Sequence, residues 1–348
     1  MVAYGFRLHK LTAHEGLTRA ELNLGDVGGG TAAVSALKNL RDRIEALEGK
    51  TIIGKSIYAH EPVDLTPVLR SELPRQSTRP YMHIVSHTQS GHKLKVTLDY
   101  GREGDFDNIL SAGSSPRPMD GLAAARTFRV WFLVPPSGTV AYMISETKGQ
   151  SYGGTALLDR LRVENQRAAA TPNGSGLDIG HWVRWKFEDL FDGSRIDDIF
   201  RKGENFELEV RRVGHSASGA AKSGMVRITE NGLGAGVRVK DAITAVRGWW
   251  DNRASGTEIA RSERAARDLG TLIDLSIDFT DLGFNDGEIR FTQEGKVLTI
   301  NPNKIEKLLV YPMGTNRPND MDMTKAAAVR LNNINRDLSL NIDLGSLV

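Results

Sequence analysis

The chain has 348 residues, of which 40% are hydrophobic and 25% are charged, and its formal net charge is +2. This composition is typical of a globular protein with room for two domains. No run of eighteen apolar residues occurs, and cysteine is absent, which excludes disulfides and thiolate metal sites. The first residues, MVAYGFRLHKL, lack the layout of a secretory signal. We therefore expect a cytoplasmic protein without direct membrane insertion and without a cofactor.

The first half of the chain contains short apolar runs separated by turn residues. A strand is predicted over residues 4–11, and a helix follows the glycines at 28–30, because apolar residues recur there at spacings of three and four. Further strands are predicted over residues 50–58, 80–86, 94–100, 127–134 and 139–145. Turns containing glycine join the last four strands in pairs, which predicts an antiparallel sheet. A helix over residues 155–166 follows.

Residues 168–180 are rich in alanine, proline, glycine and serine and are predicted to form a linker. The expected domains are therefore residues 1–167 and 181–348. In the second domain, strands are predicted over residues 182–187, 206–213, 225–229, 272–279, 288–292, 297–300 and 338–344. A helix is predicted over 256–269, and a short helical or irregular piece around 195–200. The fold class is α+β, with an antiparallel-sheet N-terminal domain and a mixed α+β C-terminal domain. Pairing of 206–213 with 225–229 gives the second domain a long basic hairpin.

Positive charge is concentrated in this hairpin and in the segment after it. Residues 210–240 contain six basic residues and one acid, a balance of +5, whereas residues 268–348 contain eight basic and twelve acidic residues, or −4. Basic side chains on a mobile hairpin can contact phosphates without recognising bases. The predicted nucleic-acid contacts are Arg211, Arg212, Lys222, Arg227, Arg238 and Lys240, with Arg184 and Lys186 beside tryptophans. The same charges would also suit a protein-binding subunit with an acidic partner.

The stretch YMISETKG, residues 142–149, ends in a Glu-x-Lys pattern that occurs in magnesium-dependent nucleases. There, two acids hold the metal and the lysine stabilises the attacking water or the phosphate. The turn before this strand, at residues 135–138, supplies no acid. We therefore favour an exposed strand face for Glu146 and Lys148, and keep a nuclease that uses these two residues as the alternative. No catalytic residue and no metal site is assigned, and His83, His87 and His92 are expected to be scattered surface residues.

The order of elements in residues 31–166 resembles the RexA-type phage-exclusion protein. The shared outline contains the paired strands YMHIVSH and KLKVTLDYG, the hairpin RVWFLVPPSGTVAYMISETKG and the short helix GTALLDRL. The resemblance implies a cytoplasmic homodimer that binds duplex DNA with little sequence preference. It also implies a membrane-protein or other defence-system partner in aborting phage infection.

Overall fold

The computed structural model describes most of the chain. The described residues are 3–29, 32–53, 79–103, 108–109, 117–118, 123–149, 151–173, 176–190, 192–211, 214–215, 221–222, 227–231, 237–253, 256–273, 285–293, 295–303 and 305–338. Within them, helices and antiparallel strands occur in similar amounts, and the predicted α+β class is confirmed.

Strands and helices follow one another in an irregular order. The strands are β1 (Tyr4–Glu15), β2 (Thr51–Ile53), β3 (Arg79–Ser90), β4 (Lys93–Glu103), β5 (Asn108–Ile109), β6 (Arg117–Pro118), β7 (Ala123–Leu133), β8 (Val140–Lys148), β9 (Ala170–Asn173), β10 (Gly176–Ile179), β11 (Val183–Asp189), β12 (Glu204–Arg211), β13 (Gly214–His215), β14 (Ala221–Lys222), β15 (Arg227–Asn231), β16 (Asp286–Gln293), β17 (Lys296–Ile300) and β18 (Tyr311–Gly314). The helices are α1 (Ala36–Leu47), α2 (Gly154–Ala169), α3 (Gly193–Lys202), α4 (Val237–Asp251), α5 (Glu258–Ile273) and α6 (Asp320–Leu338), and a 3-10 helix spans Ile305–Leu309.

The chain divides into two compact units. The N-terminal unit contains Met1–Leu190 and Tyr311–Asn332, and the second unit contains Phe191–Val310 and the last turns of α6. The predicted boundary at residues 168–180 is wrong, because α2 continues to Ala169 and the following residues form the β9–β10 hairpin. The strand predicted after the linker, now β11, pairs with β1 and belongs to the N-terminal unit.

The N-terminal unit is built on one antiparallel sheet with the strand order β11, β1, β8, β7, β4, β3, β2, in which β18 also pairs with β1. One face of the sheet packs against α1 and α2 through a core that includes Leu11, Met143 and Val130. Because side chains alternate between the two faces along a strand, the residues next to these core residues in sequence point to the opposite face of the sheet. Segment 311–332 returns to that opposite face: Tyr311 stacks on Phe6 with ring centroids 5.0 Å apart.

Helix α6 supplies much of this cover. Its buried residues Met323, Ala327 and Leu331 recur every four positions and define one apolar side of the helix. The sequence analysis missed α6, and it assigned Leu338, the last residue of the helix, to a strand. The rest of that predicted strand lies outside the described residues.

The second unit contains a four-stranded sheet with the order β15, β12, β16, β17, which packs against α3, α4 and α5. The predicted pairing across the basic hairpin is confirmed, since Arg211 lies opposite Arg227. Helix α4 was not predicted, and both of its tryptophans, Trp249 and Trp250, are buried. The strand predicted over residues 272–279 begins inside helix α5, and its later residues lie outside the described part of the chain. Among the described helices, none is long and apolar enough to cross a membrane.

Candidate nucleic-acid interface

The eight basic residues predicted to contact phosphate fall into both units. Arg184 and Lys186 lie on β11 in the N-terminal unit. Arg211, Lys222, Arg227, Arg238 and Lys240 lie on β12, β14, β15 and α4 in the second unit, and Arg212 is outside the described residues. Lys240 is exposed at the start of α4. Arg184 and Lys186 therefore belong to a different unit from the other six predicted contacts.

Arg211 is surrounded by acids. Its guanidinium pairs with Glu209 and Glu288, and its Nη1 lies 3.7 Å from Asp286 Oδ2. Burial alone would lower the pKa of Arg211, but the hydrogen bond to Glu209 and the charges of Glu288 and Asp286 raise it above its usual value. Arg290 binds the same two glutamates, at 3.3 Å and 2.5 Å, so this cluster holds three acids and two arginines. Among the described side chains this cluster has a net charge of −1, so its contacts give Arg211 no support as a phosphate contact.

Arg184 and Lys186 lie on the edge strand of the N-terminal sheet. Arg184 is half-buried and donates from Nη2 to the carbonyl oxygen of Thr18 at 2.9 Å, whereas Lys186 is exposed. Arg184 lies opposite His14 across the β1–β11 pair. Burial, followed by the charges of Lys186 and Arg184, lowers the pKa of His14. The two basic side chains therefore act on His14 in the same direction as burial does.

A second basic surface, which the sequence analysis did not identify, lies between the sheet and the start of α6. It is a groove of about 400 Å³. Its lining residues are Thr88, Gln89, Ser90, Lys93, Lys95, Trp131, Asp320, Met321, Thr324 and Lys325. We call it the basic groove, because it has three lysines and one acid. Neither Lys93 nor Lys325 forms an ion pair within the described part of the chain.

The single acid of the basic groove is already neutralised. Asp320 pairs with Lys95, and its Oδ1 accepts from Arg129 Nη1 at 2.6 Å. Burial would raise the pKa of Asp320, but the hydrogen bonds from Lys95 and Arg129 lower it below its usual value. Because Asp320 is held ionised by two cations, it offers little repulsion to an anion that approaches Lys93 or Lys325.

Glu146 lies beside this groove and is not exposed. Only 1% of its surface is accessible, so the predicted exposed strand face is wrong for this residue. Its carboxylate accepts from Arg129 at 2.8, 2.9 and 3.0 Å and from Arg317 at 2.7 and 2.8 Å. Burial would raise the pKa of Glu146, but the hydrogen bonds from Arg317 and Arg129 lower it. Lys148 extends elsewhere, with Nζ 5.1 Å from the ring centroid of Tyr4.

These contacts define the role of Glu146. Both of its oxygens are occupied by guanidinium groups, which leaves neither of them directed at a metal ion. Among the residues that the structure describes, no group of three histidines or acids could hold a metal ion. Glu146 is the centre of a buried ion cluster that joins β7, β8 and the segment before α6.

The sequence contains two features from which the basic groove could have been located. Lys93 and Lys95 alternate with Leu94 on β4, which places both lysines on the face away from the apolar core. Asn319 caps α6, since its Oδ1 accepts from the backbone N–H of Asp322 at 2.8 Å. The second feature was not recognised, so Lys325 was not placed on a helix.

Comparison with protein-family models, with curated proteins and with solved structures found no match. The fold and the groove define an α+β protein with a basic groove on its N-terminal unit, and the resemblance to the RexA type stays a prediction.

Proposed function

We propose that this chain is a sequence-nonspecific DNA-binding protein whose basic groove contacts the phosphate backbone. The observation that carries the proposal is the presence of Lys93 and Lys325 in one groove, each without an ion pair among the described residues. Duplex DNA carries roughly one negative charge per 1.7 Å of its axis. A lysine that does not first have to separate from an acidic partner can contact these phosphates directly.

The composition of the basic groove favours contacts to the backbone over contacts to bases. Lysine is a point charge that binds phosphate oxygens without the fixed fork geometry of arginine. Trp131 contributes to the floor of the groove, but it is only 1% exposed, so no base can stack on its ring. Affinity should therefore be similar for unrelated sequences and should depend strongly on salt.

Other basic residues extend the same face of the sheet. Residues directly opposite each other on neighbouring strands lie on the same face of the sheet. A row of such partners runs across four strands from Lys10 to Lys93, through Tyr142 and Leu133, so both lysines lie on one face. Lys186 is on that face as well, because it lies opposite Thr12, two residues beyond Lys10. Of the contacts predicted from sequence, Lys186 thus keeps the strongest support.

The cellular setting in this proposal follows from the resemblance to RexA-type proteins. The protein would act in the cytoplasm as a homodimer, as part of an anti-phage system with a membrane-protein or other defence partner. Light scattering of the purified chain tests the dimer. A monomer at all concentrations would contradict that part of the proposal without affecting DNA binding.

Fluorescence anisotropy with short labelled duplexes of unrelated sequence tests DNA binding. The double variant Lys93→Gln/Lys325→Gln should weaken binding to all duplexes alike and lower the salt slope by about 0.9 for each lost contact. The matched control is Lys50→Gln/Lys202→Gln, which removes two exposed lysines outside the groove. Arg211→Gln should leave the salt slope unchanged, because its guanidinium is paired with acids.

The outcomes distinguish between DNA binding through the groove, binding of an acidic protein and nuclease activity. Equal losses in the groove variant and the control would show that the groove is not the interface. No binding at low salt would overturn the proposal and favour a protein-binding subunit with an acidic partner. The DNA is also incubated with Mg²⁺ and run on a gel, where intact DNA is expected and shortened DNA would favour the nuclease alternative.

A further inference from the structure

A buried polar cluster lies on the other face of the N-terminal sheet, where β8 leads into α2. Arg7 on β1 lies opposite Ser145 on β8, and Gly5 lies opposite Thr147. The three polar side chains are almost completely buried. Neighbouring positions on the same face, such as Met143, belong to the apolar core. Polar groups in such surroundings need partners.

No acidic side chain in the described part of the chain pairs with Arg7. It is 5% exposed, forms no ion pair with any residue that the structure describes, and its Nε has no hydrogen-bond acceptor. Its guanidinium carbon lies 4.6 Å from the ring centroid of Tyr152, which covers it. A buried cation without a counter-charge is strongly disfavoured, whereas a bound anion would stabilise it.

Hydroxyl groups next to Arg7 also lack partners. Neither Ser145 Oγ nor Thr147 Oγ1 has a hydrogen-bond partner among the residues that the structure describes, although both are buried. Ser145 Oγ lies directly against the first residue of α2, since a Cβ built on Gly154 would overlap it. The serine hydroxyl is therefore directed at the first turn of this helix. His9, the next residue on this face of β1, has Nδ1 2.8 Å from Asp189 Oδ1.

The first turn of α2 supplies further donors. The helix has 16 residues, and its N-cap is Gly153, which makes no side-chain capping hydrogen bond. The first backbone N–H groups of a helix have no partner within it, and the helix dipole favours negative charge at this end. Ser145 lies against Gly154 in this first turn and opposite Arg7 on β1, and the Arg7 guanidinium lies over Tyr152, the residue before the N-cap.

We propose that this cluster, Arg7, Ser145, Thr147 and the first turn of α2, is a binding site for a tetrahedral oxyanion. Arg7 supplies the charge, Ser145 and Thr147 donate from their hydroxyls, and Tyr152 shields the site from water. The ligand class is phosphate, either as the free ion or as the phosphomonoester of a nucleotide. The site lies on the face opposite the basic groove and is independent of the proposed DNA binding.

Thermal unfolding of the full-length chain tests the site with inorganic phosphate and, in a parallel arm, with adenosine monophosphate. The reference is chloride at equal ionic strength. A ligand that binds the folded state raises Tm in a way that follows its concentration and saturates. Phosphate also stabilises proteins generally by exclusion from their surface, but that effect does not saturate and should be equal in all variants. Stabilisation by phosphate alone would identify the free ion, and stabilisation by both would identify a phosphomonoester site.

The variants Arg7→Gln and Ser145→Ala should lose the saturable rise in Tm, and Lys93→Gln/Lys325→Gln should retain it. If Arg7→Gln fails to fold, ³¹P line broadening of phosphate in the presence of wild type and Ser145→Ala provides the same comparison. The proposal is overturned if wild type shows no saturable rise with either ligand. It is also overturned if the rise, or the line broadening, is as large in the Arg7 and Ser145 variants as in wild type.

Discussion

Glu146 is bound by arginines from two distant parts of the sequence. Arg129 is on the neighbouring strand β7, and Arg317 comes from the segment that leads into α6. A buried carboxylate is stable only when such partners satisfy its charge and its lone pairs. Removing the charge at Glu146 would leave Arg129, which is also buried, without its main partner.

Glu146→Gln should therefore lower the free energy of unfolding by about 3–5 kcal/mol, the range for breaking a buried ion pair from one side. Urea unfolding at neutral pH measures this difference. Arg317→Gln is the matched control, since 37% of the Arg317 side chain is exposed and Arg129 would still neutralise Glu146. Arg317→Gln should lower the free energy of unfolding by less than Glu146→Gln does. A loss below about 1 kcal/mol in Glu146→Gln, typical of an exposed pair, would contradict the buried cluster.

The same cluster should make stability depend on acid pH. The folded-state pKa values of Glu146 and Asp320 are both lowered by their basic partners. Because the folded-state pKa is lowered, the unfolded chain binds protons more readily than the folded chain does. The stabilisation is therefore complete above the unfolded-state pKa, which is near 4.3 for glutamate and near 3.9 for aspartate. It is lost as the pH falls through the folded-state pKa values. Urea midpoints of wild type and Glu146→Gln, measured from neutral pH downwards, should converge below about pH 4. A constant gap would be inconsistent with this linkage.

At the scale of elements, the start of α6 decides the shape of the basic groove. Asn319 accepts a hydrogen bond from the backbone N–H of Asp322, which begins the helix and places Asp320 beside Arg129 and Lys95. Lys325 follows one turn later. The positions of Asp320 and Lys325 in the groove therefore depend on one helix cap.

Asn319→Ala should destabilise the chain by about 1 kcal/mol, because it removes the acceptor for an N–H group in the first turn. Asn319→Ser, which can still accept this hydrogen bond, should cost much less. Urea unfolding measures both, and anisotropy on the same proteins should show weaker DNA binding for the alanine variant only. Equal stabilities of the two variants would mean that the cap does not hold the helix start.

The sequence predicted the elements whose patterns are local. Strands β3, β4, β7 and β8 and helices α1 and α2 follow from alternation and from spacings of three and four. Helix α6 was missed because its buried side uses the small Ala327 with Met323 and Leu331, among asparagines and aspartates that are typical of turns. A bulge between Ile84 and Ser86 in β3 could not be predicted either, because it depends on the partner strand.

The candidate site was harder to predict than the fold. Basic residues are visible in a sequence, but their partners are not: Arg211 faces acids from β12 and β16, while Lys93 faces none in the described residues. Such differences arise from contacts between residues far apart in the chain, and no periodicity reports them. The local +5 balance of residues 210–240 therefore pointed to one unit, whereas the basic groove lies in the other.

For the whole molecule, the important feature is that the chain leaves the N-terminal unit at Leu190 and returns at Tyr311. The returning segment adds β18 to the sheet, stacks Tyr311 on Phe6 and brings Arg317 to Glu146. The N-terminal unit is therefore not a contiguous domain, and a fragment that ends at residue 190 lacks part of its own core.

Fragment 1–190 should not unfold cooperatively, since it exposes the face around Phe6 and leaves Glu146 with one arginine. A second, linked protein joins residues 1–190 to 311–338 through a flexible glycine-serine linker and should recover a cooperative transition, because closing such a loop costs little free energy compared with the contacts restored. Circular dichroism during urea unfolding distinguishes the fragment from the linked protein. In a matched control, the linked protein with Glu146→Gln should again lose stability, which ties the recovery to the ion cluster and not to added length. A cooperative transition of equal midpoint in fragment 1–190 would show that the sheet does not need the returning segment.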